Sequence, residues 1–208
     1  MLLSFQFVFF IITFAKASRN AIKNKKSNSC VAAINEFEYE DFVYSIIFNT
    51  STVSLKCPTT DLVGTVHIPS IVTKPNLSKY SLNQNDSQNF TVVKIQNDCF
   101  RDQEHLTSVS LPETITEIGQ FSFFNCVSLT SFHFPSNMND VPQSCFYGCI
   151  NLESITLPLN AVSVADYSFF NCELLRYFKL PDSIQSIGSY AFSYCRCIVN
   201  TLEVPLVG

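Results

Sequence analysis

LTSVSLPETITEIGQFSFFNCVS (106–128) is followed by three stretches of the same length and plan: LTSFHFPSNMNDVPQSCFYGCIN (129–151), LESITLPLNAVSVADYSFFNCEL (152–174) and LRYFKLPDSIQSIGSYAFSYCRC (175–197). Pro112, Pro135, Pro158 and Pro181 mark the period of 23 residues, and VNTLEVP opens a fifth unit at Val199, one residue late. Each unit starts on a leucine (Leu106, Leu129, Leu152, Leu175), followed by Val109, Phe132, Ile155 and Phe178, then by Leu111, Phe134, Leu157 and Leu180. The last two columns are two positions apart, so on a β-strand both point to one side. Proline then ends the strand, because inside a ladder it would remove a hydrogen bond. A second apolar pair (Ile115/Ile118, Met138/Val141, Ala161/Val164, Ile184/Ile187) predicts a far wall. Phe123, Phe146, Phe169 and Phe192 are expected to fill the space between.

A period of about 20–29 residues built on L-x-x-L-x-L is the signature of a leucine-rich-repeat solenoid, in which stacked units bury a core that none could bury alone. The predicted fold is therefore β-rich, with 23-residue repeats and a parallel sheet on the concave face. Upstream, EYEDFVYSIIFNTSTVSLKC alternates apolar and polar residues as half-buried strands do. Residues 30–69 are read as a β-rich N-terminal cap over the open end of the core, with LVGTVHIPS as a first strand. Residues 70–105 read as an irregular repeat. Leu77-Ser-Lys-Tyr80-Ser-Leu82-Asn83 keeps the strand spacing, QNDSQN forms a polar insertion, and Val92, Ile95 and Phe100 stand 23 residues before Ile115, Ile118 and Phe123. Regular repeats occupy 106–208, the last incomplete.

With 208 residues, 47% hydrophobic and 14% charged, the chain is not disordered, and a net charge of −4 offers no basic footprint for nucleic acid. The opening MLLSFQFVFFIITFAKA (1–17) reads as a signal peptide. Its apolar run falls short of the about 20 residues a bilayer span takes, and Ala15-Lys16-Ala17 supplies a small-x-small cleavage pattern. Residues 18–29 form a basic linker. Asn49, Asn76, Asn85 and Asn89 head N-x-[ST] acceptors for glycosylation, all before residue 92 and outside the regular repeats. A secreted or cell-surface location follows, with no evident membrane attachment.

The combination L-x-x-Φ-x-L-P, I-x-x-I-G and F-x-x-C resembles the BspA-type leucine-rich repeats. Unit 175–197 carries it most fully, through Ile184, Ile187, Gly188, Ala191, Phe192 and Cys195, and GTVHIPSIV (64–72) is similar to an early element of the family. Pro142 and Ala165 depart from the pattern by standing where glycine belongs. The resemblance implies a secreted or surface-exposed, adhesin-like protein of the kind found on bacteria and protozoan parasites. Such a protein attaches to host cells or matrix proteins through a protein or glycan ligand, and no catalytic residue belongs to the motif.

Cys126, Cys149, Cys172 and Cys195 recur at the same period. A metal site converges its ligands tetrahedrally, whereas a solenoid column is a straight ladder, so these read as buried structural thiols. Parallel Cβ vectors at ~4.8 Å exceed the ~3.8 Å mean of a disulfide, so few ladder disulfides are expected. Cys30, Cys57, Cys99, Cys145 and Cys197 lie off that ladder, and Cys30–Cys57 is the predicted bridge. His67, His105 and His133 fit no metal or nucleophile–base motif, so neither an enzyme, a cofactor nor a small-molecule substrate is expected. Strand alternation names two exposed rows as the candidate binding face. One is Ser108, Ser131, Ser154, Tyr177 and Thr201; the other is Ser110, His133, Thr156, Lys179 and Glu203. Solenoids bind through such surfaces, although small hydroxylic residues also simply keep a sheet solvated. The competing functional class is an intracellular leucine-rich-repeat interaction scaffold.

Overall fold

The computed structural model describes residues 36–47, 50–74 and 88–198, all within one compact unit, Asn35–Gly208. The chain enters it as an antiparallel meander of β1 (Glu36–Tyr39), β2 (Phe42–Ile46) and β3 (Thr52–Pro58). Next come β4 (Gly64–His67), β5 (Ile71–Lys74) and β6 (Gln88–Ile95). Each later repeat then supplies one strand from its leucine segment and a two-residue strand from its second apolar pair. These are β7 (Leu106–Ser110) and β8 (Glu117–Ile118), β9 (Ser131–His133) and β10 (Asp140–Val141), β11 (Ser154–Thr156) and β12 (Ser163–Val164), with β13 (Ser186–Ile187) last.

Two parallel ladders result. One runs β4–β7–β9–β11, with Val109 beside Phe132 and Phe132 beside Ile155. The other carries the second apolar pairs, through β6–β8 and β10–β12–β13, with Ile95 beside Ile118 and Val141 beside Val164. A third set of inter-coil hydrogen bonds lies in the turns. The amides of Phe100, Phe123, Phe146 and Phe169 donate to Ser122, Cys145, Ser168 and Ala191 carbonyls at 2.7–2.9 Å. Those turns are tight because two residues in each coil are left-handed. One column is Asp98, Phe121, Ser144, Tyr167 and Tyr190, and the other includes Asp102, Asn125, Asn171 and Tyr194, with φ from 51° to 64°. Bulky residues seldom adopt that region. The paired amides on either side hold them there.

Between the ladders the phenylalanine column stacks face to face, with centroid spacings of 5.0 Å for Phe100–Phe123, 5.3 Å for Phe123–Phe146, 5.5 Å for Phe146–Phe169 and 5.2 Å for Phe169–Phe192. The strand and wall columns are buried around it from Leu106 to Val164, apart from the partly buried Leu111. Burial thins toward the last described coil. Phe178, Ile184 and Phe192 are partly buried, and Ile187, expected on the inner wall, is 49% exposed.

In the irregular region, the strand spacing read at 77–83 lies outside the described residues. β4 pairs directly with β7, Val66 against Val109. The register step is 43 residues there and 23 at Val109–Phe132. Much of the surplus is a hairpin, β5 antiparallel to β6, whose second strand also pairs in parallel with β3. Of the polar insertion, Gln88 and Asn89 are described, at the start of β6. Residues 75–87 lie outside the described residues.

The cysteine columns have a physical reason the sequence reading did not supply. The Cys126, Cys149, Cys172 and Cys195 thiols each donate to the phenylalanine carbonyl one coil back (Phe100, Phe123, Phe146, Phe169) at 3.0–3.1 Å. Cys99 and Cys145 share a column of buried small residues with Ser122, Ser168 and Ala191. The two serines donate inward to Gly119 and Ala165 carbonyls at 2.6 Å. Among the described residues no cysteine is bridged; Cys57 is a free thiol, and its predicted partner Cys30 lies outside them.

The departures at Pro142 and Ala165 are explained by the preceding coil. Gly119 follows a coil with Asn97 and Gly188 follows one with Asp166, whose Oδ1 atoms accept the Gln120 and Ser189 amides at 3.0 and 2.6 Å. This draws the next coil so close that a Cβ on either glycine would overlap the Asx amide nitrogen and side-chain oxygen. Pro142 and Ala165 follow Gln120 and Gln143, which make no such contact, and there a side chain fits.

Candidate functional site

The β4–β7–β9–β11 ladder turns one face into the core and leaves the other open. Register carries the first candidate row from Thr65 through Ser108 and Ser131 to Ser154, and an isolated bridge adds Tyr177. In the second row His67 pairs with Ser110, and His133 with Thr156. Ser110, Ser131, His133, Thr156, Tyr177 and Lys179 are exposed, Tyr177 at 64%, whereas Ser108 and Ser154 are half-buried. The face is small and hydroxylic at its start and gains an aromatic ring and a cation at Tyr177 and Lys179. Thr201 and Glu203 lie outside the described residues, as do Asn49, Asn76 and Asn85. Asn89 is exposed on β6, where its Oδ1 accepts the Thr73 hydroxyl at 2.7 Å. Thr91, the hydroxyl residue of its acceptor motif, stands two positions on, on the same side of the strand.

At the edge of this face a cleft of about 460 Å³ opens between β11 and the following coil. Thr156 and Lys179 line it together with Leu157, Leu159, Pro181 and Asp182. Near the other end of the face, Glu113 bridges two coils. Its Oε2 accepts the Ser136 amide at 2.9 Å and the Ser136 hydroxyl at 2.6 Å. These hydrogen bonds, the hydroxyl first, and the nearby His133 hold the Glu113 carboxyl below its ordinary pKa.

No cluster of three His, Cys, Asp or Glu suited to a metal ion forms among the described residues. Burial pushes the Cys126 thiol up to about 12 and raises Cys145, Cys149 and Cys172 further, so these are neutral hydrogen-bond donors and not nucleophiles. No helix among the described residues is long and apolar enough to cross a membrane.

One surface feature escaped the sequence reading. Phe124, Tyr147 and Phe170 form an outer stack along the turns, with spacings of 4.8 and 4.7 Å, and the Arg101 guanidinium covers its first ring at 4.4 Å. Tyr190 stacks on Tyr167 at 5.3 Å beside it. The signal was present as aromatic residues at the 23-residue period in a column that carries no core residue.

The profile of a family described as "BspA type Leucine rich repeat region" matches residues 69–202 in six copies. None of the curated proteins matches the chain. Among solved structures it is similar to a leucine rich cell surface protein from Faecalibacterium prausnitzii, at 26% identity and a TM-score of 0.65, over 79% of this chain and 38% of that one. It is also similar to a leucine-rich repeat protein from Bacteroides ovatus, at 26% identity and a TM-score of 0.64, over 78% and 45%. A leucine rich repeat protein from T. pallidum shares the fold at 24% identity and a TM-score of 0.64, over 79% and 69%. The chain therefore spans well under half the length of the first of these proteins.

Proposed function

The chain belongs to the BspA-type leucine-rich-repeat family, which implies a protein-interaction role, and on that premise we propose a secreted or cell-surface recognition protein. It binds a protein or glycan ligand on the open face of its strand ladder and serves adhesion to host cells or matrix. The observation that carries this reading is the open strand face over a stacked core, exposed at Ser110, Ser131, His133 and Thr156 and ending in Tyr177 and Lys179. Extended open ladders are the surfaces repeat proteins bind through, and tyrosine is enriched where binding energy concentrates. In this reading 1–17 is a leader, the β1–β3 meander caps the first coil of a solenoid, and the ladder lines its concave face. The exposed Asn89, with Thr91 on the same side of β6, supports glycosylation at that end. The F. prausnitzii relative is described as a cell surface protein, which agrees with the proposed location.

Expression from Met1 in a eukaryotic host, followed by fractionation and N-glycosidase treatment, tests the location. Protein in the medium or at the surface that shifts on deglycosylation supports the reading. A cytosolic, unshifted product favours the intracellular scaffold instead. Host-cell and matrix binding then tests the face: Tyr177→Ala with Lys179→Ala is expected to weaken it, and undiminished binding would dismiss the patch.

A further inference from the structure

Residues Glu113, His133 and Ser136 recur two repeats later as Leu159, Lys179 and Asp182. In the earlier copy the Glu113 carboxylate closes the gap between neighbouring coils by taking the Ser136 amide and hydroxyl, with His133 close by. In the later copy that carboxylate is missing, because Leu159 has no acceptor to offer. The Asp182 amide has no partner among the described residues, and Lys179 has no ion pair there. The ladder is also parted at this point. As at the Glu113 gap, where no bond joins Leu111 to His133, none joins Leu157 to Lys179, although the Phe134 amide reaches the Thr156 carbonyl at 3.0 Å in the coil between. With no carboxylate to close it, this gap carries the cleft of about 460 Å³, lined by Leu159, Lys179 and Asp182.

We propose that this cleft binds an acidic side chain of an extended peptide, whose carboxylate takes the place that Glu113 fills in the earlier coil. The proposal deepens the recognition role proposed above and rests on it. Lys179 provides the cation and the Asp182 amide the donor. Leu159, 77% exposed, and Pro181 offer an apolar contact for a neighbouring aliphatic residue. That apolar share favours a peptide over a carboxylated sugar. The Asp182 carboxylate limits the site to one acidic group, since a second would face its charge.

The test is selection of phage-displayed random octapeptides on the full chain, with a panel of sialylated and uronate glycans in parallel. Enriched peptides are expected to carry Asp or Glu beside an aliphatic residue. Lys179→Glu should weaken their binding roughly tenfold or more, the scale of a lost charge-assisted hydrogen bond, and Lys179→Arg should largely retain it. Asp182→Ser should tighten binding. Leu159→Glu should abolish it by closing the cleft in cis, without lowering the thermal midpoint. Peptides lacking an acidic residue, or indifferent to Lys179→Glu and Leu159→Glu, would overturn the proposal. If such peptides are lost instead on His133→Glu with Ser131→Arg, the strand-face reading stands and the cleft assignment alone fails. An empty peptide selection, or capture of glycans alone, also overturns it.

Discussion

The Tyr44 hydroxyl is fully buried and has no hydrogen-bond partner among the described residues, although its ring is well packed against Phe37 at 5.8 Å. Burial raises its pKa, so it stays a neutral phenol. An unmet buried hydroxyl costs about 1–3 kcal/mol. Tyr44→Phe, which keeps the ring, should leave stability unchanged or raise it by up to about that much, and the midpoint of urea unfolding checks this. At Glu113 the folded pKa lies below the ordinary 4.5. Its stabilisation is therefore present above 4.5 and lost as pH falls through the lower folded value. Glu113→Gln should flatten the thermal midpoint against pH below that point, and an unchanged acid limb would contradict the Ser136 contact. Raised pKa values and burial also predict that Cys126, Cys149 and Cys172 resist alkylation in the native protein. Among the described cysteines, the half-buried Cys57, Cys195 and Cys197 should be labelled first, Cys195 helped by the Cys172 hydrogen bond that holds its thiol below the ordinary pKa; mass spectrometry of labelled peptides decides.

At the scale of the element, each coil is matched to the one before it. Gly119 lies against the Asn97 backbone and side chain, so Gly119→Ala should destabilise by about 1–3 kcal/mol through forced overlap. Ala165 follows Gln143 and already carries a Cβ, so Ala165→Gly should cost no more than about 1 kcal/mol of backbone entropy. Equal effects in thermal or urea unfolding would refute the Asx explanation. The 23-residue period made the ladder strands, the wall pairs and the phenylalanine column legible, since each repeats with its neighbours. The β5–β6 hairpin was not legible. Its strands pair with each other and with β3, outside the β4–β7 ladder, and a partner in another part of the chain is not written in the 23-residue period.

Across the whole molecule a single apolar core runs from Phe37 in β1 to Ala191 in the last described coil. The meander is joined to it by β3–β6 pairing and by Phe42 against Phe100 at 6.2 Å. Unfolding should therefore be one cooperative transition. In a chain without tryptophan, circular dichroism and tyrosine fluorescence should give coincident urea curves. Separate transitions would mean that the meander and the repeats are independent. Of the candidate site, the rows of exposed residues were readable because a strand's period of two assigns every side chain to a face.

The sequence by itself determined the repeat, its inward columns and its family resemblance, because a stacked coil imposes the same local demand every 23 residues. Three features were decided only by the tertiary structure: where the stack opens into a cleft, why glycine is needed at Gly119 and Gly188 but not at Pro142 and Ala165, and what the cysteines bond. Each depends on a pair of residues in neighbouring coils, such as Leu159 with Asp182 or Asn97 with Gly119. A column read one residue at a time does not contain the contact between its members.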